Sequence, residues 1–161
     1  MSPPPVIANS SPIIALQRIG SVDLLHRLFA EVLIPPAVAR EIGSALVLPA
    51  WIVEHSLAQP IGPEILRASL GPGESEAISL ALELGAARVI IDERPARRIA
   101  QTLKLPVIGT LGVLLACKRR GFIPFVRRNL DALVEAGFRI APKLHDRVLR
   151  DAGEGGPRVT P

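Results

Sequence analysis

The chain reads as an α/β domain built on a parallel sheet, and three observations carry that reading. From Gly73 to Arg120, apolar strand-like runs alternate with helical patterns, and the crossovers are long enough to bring each strand back parallel to the last. The run Arg88-Val89-Ile90-Ile91 is continuous and β-branched rather than alternating, as in a central strand covered on both faces. Near the start, Val6-Ile7-Ala8 gives way to Asn9-Ser10-Ser11-Pro12 before a helical spacing begins. That layout delivers small polar side chains to the carboxyl edge of a first buried strand, where open α/β sheets bind ligands.

The elements follow in order. Pro12 to Gly20 carries Ile13, Ile14, Leu16 and Ile19 at helical spacing and closes on a glycine. A short helix from Ser21 holds Leu24, Leu25, Leu28 and Phe29. Val32-Leu33-Ile34 is a strand stopped by Pro35-Pro36, and Pro36 opens a helix to Ile42 that places Glu41 near the strand end. Between Gly43 and Leu70 the pattern weakens, with Trp51-Ile52-Val53 as a strand and Glu64–Leu70 as a helical turn or two. The helix Glu74–Leu84 stops at Gly85, and its apolar residues cover so much of its circumference that more than one side must be buried. The strand Arg88–Glu93 ends in acid, the helix Ala96–Leu103 follows, and Leu105–Ile108 is a further strand. Gly109-Thr110 leads into the helix Leu111–Arg120. The remainder reads as a helix Phe125–Ala136, an edge strand Phe138-Arg139-Ile140 and a last helix Lys143–Ala152.

A length of 161 residues suits a single domain spanning 1–161, with 153–161 as a flexible tail. Hydrophobic residues at 48% against 21% charged exclude a disordered chain. Four Phe, one Trp and no Tyr are too few rings for a platform that stacks bases along a strand. A net charge of +4 is compatible with a phosphate-rich partner without identifying one. Cys117 sits in an apolar helical pattern and reads as a small buried hydrophobe. The first residues lack the features of a signal peptide, and no apolar run approaches the roughly 18 residues of a membrane span, so a cytoplasmic location is expected.

Phosphate-loop, dinucleotide-fingerprint and nucleophile-elbow motifs are absent, and His26, His55 and His145 are not at metal-ligand spacing. A phosphoacceptor domain would carry an aspartate where Asn9 stands. What remains is acidic. Asn9-Ser10-Ser11 and Asp92-Glu93 close two strands on one edge of a parallel sheet, and Glu41 with Glu74 or Glu76 lies at helix ends beside it. Each acid also has a structural reading, since carboxylates are favoured in a first helical turn and on solvated faces. Gathered together, they would repel and raise one another's pKa values unless a cation neutralised them. Oxygen-only ligands suit Mg²⁺ or Mn²⁺, and metal-activated water attacking a phosphodiester is the reaction such a site supports.

Five segments carry a resemblance. They are Val6–Leu16, Leu33–Ile42 with Pro-Pro-Ala-Val-Ala-Arg-Glu-Ile, Gly73-Glu74-Ser75-Glu76-Ala77-Ile78, Ile91-Asp92-Glu93-Arg94, and Gly109-Thr110-Leu111-Gly112-Val113-Leu114-Leu115. With them the chain resembles PIN-domain proteins, the fold of toxin ribonucleases in toxin–antitoxin pairs, and more narrowly the PIN-like group DUF3368. The resemblance implies a three-layer α/β/α fold with a central parallel sheet and an acidic pocket binding Mg²⁺ or Mn²⁺. It puts Asn9 where a first aspartate is expected, Glu41 at the second acidic position, Glu76 at the third with Glu74 as its rival, and Asp92 at the fourth. On a helical wheel Glu74 lies nearer the middle of the apolar face, so both are retained. Ser10 or Ser11 matches the small hydroxyl residue beside the first acid. Glu93 would point the opposite way from Asp92 if the strand continued that far.

Asparagine offers a carbonyl oxygen without charge, so it cannot bridge two cations as a carboxylate does. The resemblance implies a metal-dependent endoribonuclease, the toxin of a pair with an antitoxin protein, acting on RNA as a homodimer. In that reading Arg94, Arg97 and Arg98 hold the RNA backbone, although they also suit a solvated helix face. The alternative, favoured by Asn9, is a catalytically degenerate PIN-like module that binds RNA or a protein partner. A small-molecule α/β enzyme has no motif behind it.

Overall fold

The computed structural model describes residues 3–155, and among them five strands form one all-parallel sheet in the order β3-β2-β1-β4-β5. The strands are β1 (Val6–Ala8), β2 (Val32–Ile34), β3 (Ile52–Glu54), β4 (Arg88–Ile90) and β5 (Val107–Ile108). The helices between and after them are α1 (Ser10–Arg18), α2 (Asp23–Phe29), α3 (Pro36–Ile42), α4 (Ile61–Leu66), α5 (Pro72–Leu84), α6 (Arg94–Thr102), α7 (Thr110–Arg119), α8 (Val126–Glu135) and α9 (Pro142–Asp151). Helices flank both faces of the sheet in three layers. No helix of the described residues is long and apolar enough to cross a membrane.

β1 occupies the middle because its side chains are apolar on both faces. Ile7 and Ala8 are fully buried, as are Ile34 of β2 and Val89 and Ile90 of β4. In register, Ile7 lies opposite Leu33 on one side and Val89 on the other. The expected all-round burial of α5 holds for Ala77, Ile78, Leu80 and Ala81, because α5 packs on β1 and β4 while α3 and α4 pack on α5. Leu82 is the exception, at 47% exposed.

The helices α1, α6 and α5 begin two residues earlier than expected, for one reason: Pro12, Pro95 and Pro72 fall inside their first turns. The first N–H groups of a helix have no intrahelical partner, so a proline there costs no hydrogen bond. β4 is shorter than its apolar run. It ends at Ile90, and Ile91-Asp92-Glu93 continue outside the strand.

The expected edge strand Phe138–Ile140 does not form. Phe138 and Ile140 pack partly buried against the core, and that packing accounts for their alternation without sheet pairing. The helical turn expected at Glu64–Leu70 lies earlier, at Ile61–Leu66, since Pro63 sits within its first turn. Cys117 is buried as expected, and burial pushes its thiol up to about 11.

The expected flexible tail is fastened where it starts. Glu154 accepts hydrogen bonds from Lys118 Nζ (2.9 Å), the Val126 N–H (2.8 Å) and the Arg127 N–H (3.1 Å), so it caps α8 and ties it to α7. The remaining tail residues, 156–161, lie outside the described residues. Glu154→Ala would leave two backbone donors and an ammonium without their acceptor. A loss of about 1–3 kcal/mol is expected in urea or thermal unfolding; unchanged stability would show that the cap contributes nothing.

Candidate functional site

The sheet order locates the site. From β1 the chain runs outward through β2 and β3 to one edge, and β4 and β5 fill the other side. The connections leaving β1 and β4 therefore diverge, and open α/β sheets bind ligands in the crevice at such a switch point. Here the two strands stay joined to their last residue: the Asn9 N–H donates to the Ile90 carbonyl at 3.0 Å. Beyond it lie Asn9-Ser10-Ser11 on one side and Asp92-Glu93 on the other.

Asn9 sits at the N-cap of α1 in extended conformation and is only 1% exposed. Its side chain does not cap the helix, and Oδ1 is buried with no hydrogen-bond partner. A buried amide oxygen without a donor costs roughly 1–3 kcal/mol, so it needs a reason to be there.

From Ser10 the carboxylates follow in a connected series. Ser10 Oγ donates to Glu41 Oε2 at 2.5 Å, and Glu41 Oε1 accepts the Gly73 N–H at 2.9 Å. α3 is thereby joined to the first turns of α1 and α5. A Cβ on Gly73 would collide with the Glu41 carboxylate, which is why the approach needs glycine. The next residue, Glu74, turns back to accept the Gly71 N–H at 2.8 Å, closing the start of α5. Its carboxyl meets that of Glu93. Burial, the hydrogen bond with Glu93 and the Glu93 charge raise Glu74 from an ordinary carboxyl to about 7, against the opposing pull of the Gly71 N–H.

Asp92 stands beside Glu93 and is held just as firmly. Its Oδ1 accepts the Thr110 N–H at 2.7 Å and its Oδ2 the Thr110 hydroxyl at 2.6 Å, at the start of α7. Gly109 admits this contact, since a Cβ there would come within 3.0 Å of Asp92 Oδ1.

The structure separates the two rivals on α5. Glu76 Oε2 accepts the Ala37 N–H at 2.7 Å, capping α3, and its Oε1 lies 3.9 Å from Arg67. Glu74, not Glu76, meets the acids at the strand ends. Glu93 also belongs to this cluster, against the expectation from strand alternation, because β4 ends at Ile90 and the alternation ends with it. Among the arginines, Arg97 Nη1 donates to the Ile91 carbonyl at 2.8 Å and packs against Gly109, so it braces the site. Arg94 and Arg98 are exposed on α6.

Ser11 helps line a groove of about 430 Å³ that borders Asp92 and Glu93. Arg18 and Arg139 stand on this groove, and the sequence reading missed both. Arg18 appears only as the basic end of a helix, and Arg139 lay in an expected strand.

In kind, these donors suit a hard divalent cation: every one is oxygen, Asn9 Oδ1 waits without a partner, and Glu74 and Glu93 stand where a cation would replace a shared proton. They are few. Among the described residues no group of three or more His, Cys, Asp or Glu side chains is close enough to hold a metal ion.

A family model described as a PIN domain, DUF3368, matches residues 5–154, and the chain belongs to that family. PIN domains generally use divalent metal ions. No curated protein and no solved structure matches the chain.

The raised Glu74 carboxyl has a thermodynamic consequence. Between the ordinary carboxyl value and about 7 the folded protein keeps a proton that the unfolded chain releases, so this contribution to stability is present at low pH and is lost as pH rises through about 7. Melting temperatures without divalent metal should therefore fall between pH 5 and pH 7.5, and Glu93→Gln should flatten that part of the profile. A profile identical in wild type and Glu93→Gln would refute the carboxyl pair.

Proposed function

We propose that this PIN-domain protein is a metal-dependent endoribonuclease, the toxin of a toxin–antitoxin pair. The observation that supports it best is the series of acids along the β1–β4 crevice, Glu41, Glu74, Glu93 and Asp92, each fastened to backbone or to another acid. Glu74, Glu93 and Asp92, with the neutral oxygen of Asn9, are the oxygens this crevice offers to Mg²⁺ or Mn²⁺, and holding the ion would require them to draw closer than they stand here. When bound, the ion supplies Lewis-acid stabilisation of a phosphodiester and a water nucleophile at neutral pH.

The chain's own groups supply the rest. Thr110 and Gly71 orient the Asp92 and Glu74 carboxylates through hydrogen bonds, so neither has to be ordered when substrate arrives. Ser10 is committed to Glu41 and acts as a positioning residue, while Ser11 faces the groove and is free to meet RNA. Glu76 serves α3. Arg94 and Arg98, exposed on α6, would meet RNA farther from the acids. The partners in this reading are RNA, an antitoxin protein and a second copy of the chain.

A second reading has its own observation. Asn9 removes one charge from the crevice and no three acids converge there, which favours a catalytically degenerate module that binds RNA or a protein partner.

Single-stranded RNA incubated with Mg²⁺ or Mn²⁺ separates the two. The nuclease reading expects slow cleavage by wild type, faster cleavage by Asn9→Asp, and a loss of about a hundredfold in Asp92→Asn, the upper range for disturbing a metal site. Asp92→Asn should also unfold more easily, because the cap of α7 is weakened, so its folded fraction is measured alongside. A silent wild type with an active Asn9→Asp makes the natural protein a binder. Cleavage undiminished in Asp92→Asn removes the site. Growth arrest on expression, relieved by the product of a neighbouring small open reading frame, would support the toxin role.

A further inference from the structure

The groove beside the acids is lined by Asp92 and Glu93, by Arg18 from the last turn of α1 and by Arg139 from the segment after α8. Ser11, in the first turn of α1, lines it too, so Arg18 stands about 10 Å farther along that helix. The rest of the lining is largely apolar, with Ile14 and Ala15 from α1 and Leu133 and Phe138 from the α8 side. Both arginines are exposed, and neither makes a hydrogen bond or ion pair among the described residues. Of the other cations near the site, Arg97 is tied to Ile91 and Arg67 faces Glu76, while Arg94 and Arg98 are exposed on α6 and do not line this groove. Two unpartnered guanidinium groups and two carboxylates on the walls of one largely apolar trough form a binding surface with charge of both signs.

We infer that this groove is a subsite for one nucleotide of a single-stranded RNA, adjacent to the bond that the acids address. Arg18 and Arg139 bind its phosphate, and Ile14, Leu133 and Phe138 carry its base. This rests on RNA being the polymer, as proposed above. Charge complementarity selects the occupant and its direction. A phosphate is repelled by Asp92 and Glu93 and attracted by the two arginines, whose forked donors match phosphate oxygens. A base has an apolar face for the trough and stacks on an aromatic edge without sequence preference. The volume, about 430 Å³, lies within the range of small-ligand pockets and admits one nucleotide unit rather than a helix of a partner protein. With one phosphate on the arginines, the next phosphate of the strand can approach the acids only once a bound cation has neutralised them.

Both arginines are exposed, so neutral substitutions leave the core intact. Binding of a fluorescein-labelled decaribonucleotide, followed by anisotropy in EDTA, tests the subsite without any cleavage. Arg18→Gln and Arg139→Gln should each weaken Kd about tenfold, the size of one charge-assisted hydrogen bond. Each should also flatten the salt dependence by about 0.7 in log Kd per log salt, the value for one phosphate contact on a single strand. Arg88→Gln, at the opposite end of the sheet, should change neither. An abasic oligomer of the same length should bind wild type about tenfold more weakly, since base stacking is lost.

Unchanged affinity and salt slope in the double variant would overturn the subsite, and equal binding of the abasic oligomer would overturn its apolar half. If wild type sediments as a dimer and the double variant as a monomer, a second copy covers the groove and the inference fails. The nuclease reading is judged separately. Binding losses as expected, with no cleavage by wild type or Asn9→Asp, leave the subsite standing and remove the nuclease. Cleavage with unaltered binding in the arginine variants does the reverse. A wild type that binds no oligonucleotide refutes the subsite, and the nuclease reading is then decided by the cleavage assay alone.

Discussion

Everything at the candidate site depends on β1 and β4 remaining paired to their last residues. The Asn9 N–H to Ile90 carbonyl bond is the final rung, and past it the two chains part. Had the pairing ended one residue sooner, Asn9 and Ile91 would have been free to turn, and the crevice would have had no fixed rim. The pairing is secure because it lies in the middle of the sheet, between β2 and β5, with Ile7, Ala8, Val89 and Ile90 buried on both faces. A buried, fully paired backbone is expensive to disturb, and that rigidity is what carries polar side chains to a defined place.

The acids around that rim are also parts of the frame. Glu41 joins α1 to α5, Asp92 closes the start of α7, Glu74 the start of α5, and Glu76 the start of α3. Helix starts present unpaired N–H groups and a partial positive charge, so each of these carboxylates is held beside a helix start with part of the repulsion between them offset. The offset is incomplete where two acids meet each other, at Glu74 and Glu93, and there the proton is held. Neutral Asn9 adds no further repulsion, but it leaves a buried oxygen without a donor.

Much of this was legible in the residues. The parallel sheet followed from β-branched runs alternating with helical spacing, and Asn9 and Asp92 do follow two neighbouring parallel strands on one edge of it. That Gly73 and Gly109 admit the close approach of Glu41 and Asp92 is visible only in the structure. What the sequence could not show was which way a side chain turns once its element has ended. Glu93 was assigned by strand alternation, but β4 stops at Ile90. Glu74 and Glu76 could not be ranked, because their separation depends on the Ala37 N–H, which α3 brings from 39 residues away. Arg18 and Arg139 were missed because their common groove exists only once α1 and α8 are packed together. The apolar alternation at Phe138–Ile140 imitated a strand because packing on a core demands the same in-and-out pattern.

The cap supplied by Glu154 bears on the order in which the molecule assembles. The donors at Val126 lie 28 residues before their acceptor, so α8 emerges during synthesis with its first turn uncapped. Leu133 and the Ala136–Arg139 segment, which wall the groove, hang from that helix. The sheet and the acidic rim can therefore form while this wall is still loose, and the groove is completed last. A nascent chain would carry its acids in place before it has anywhere to seat a nucleotide.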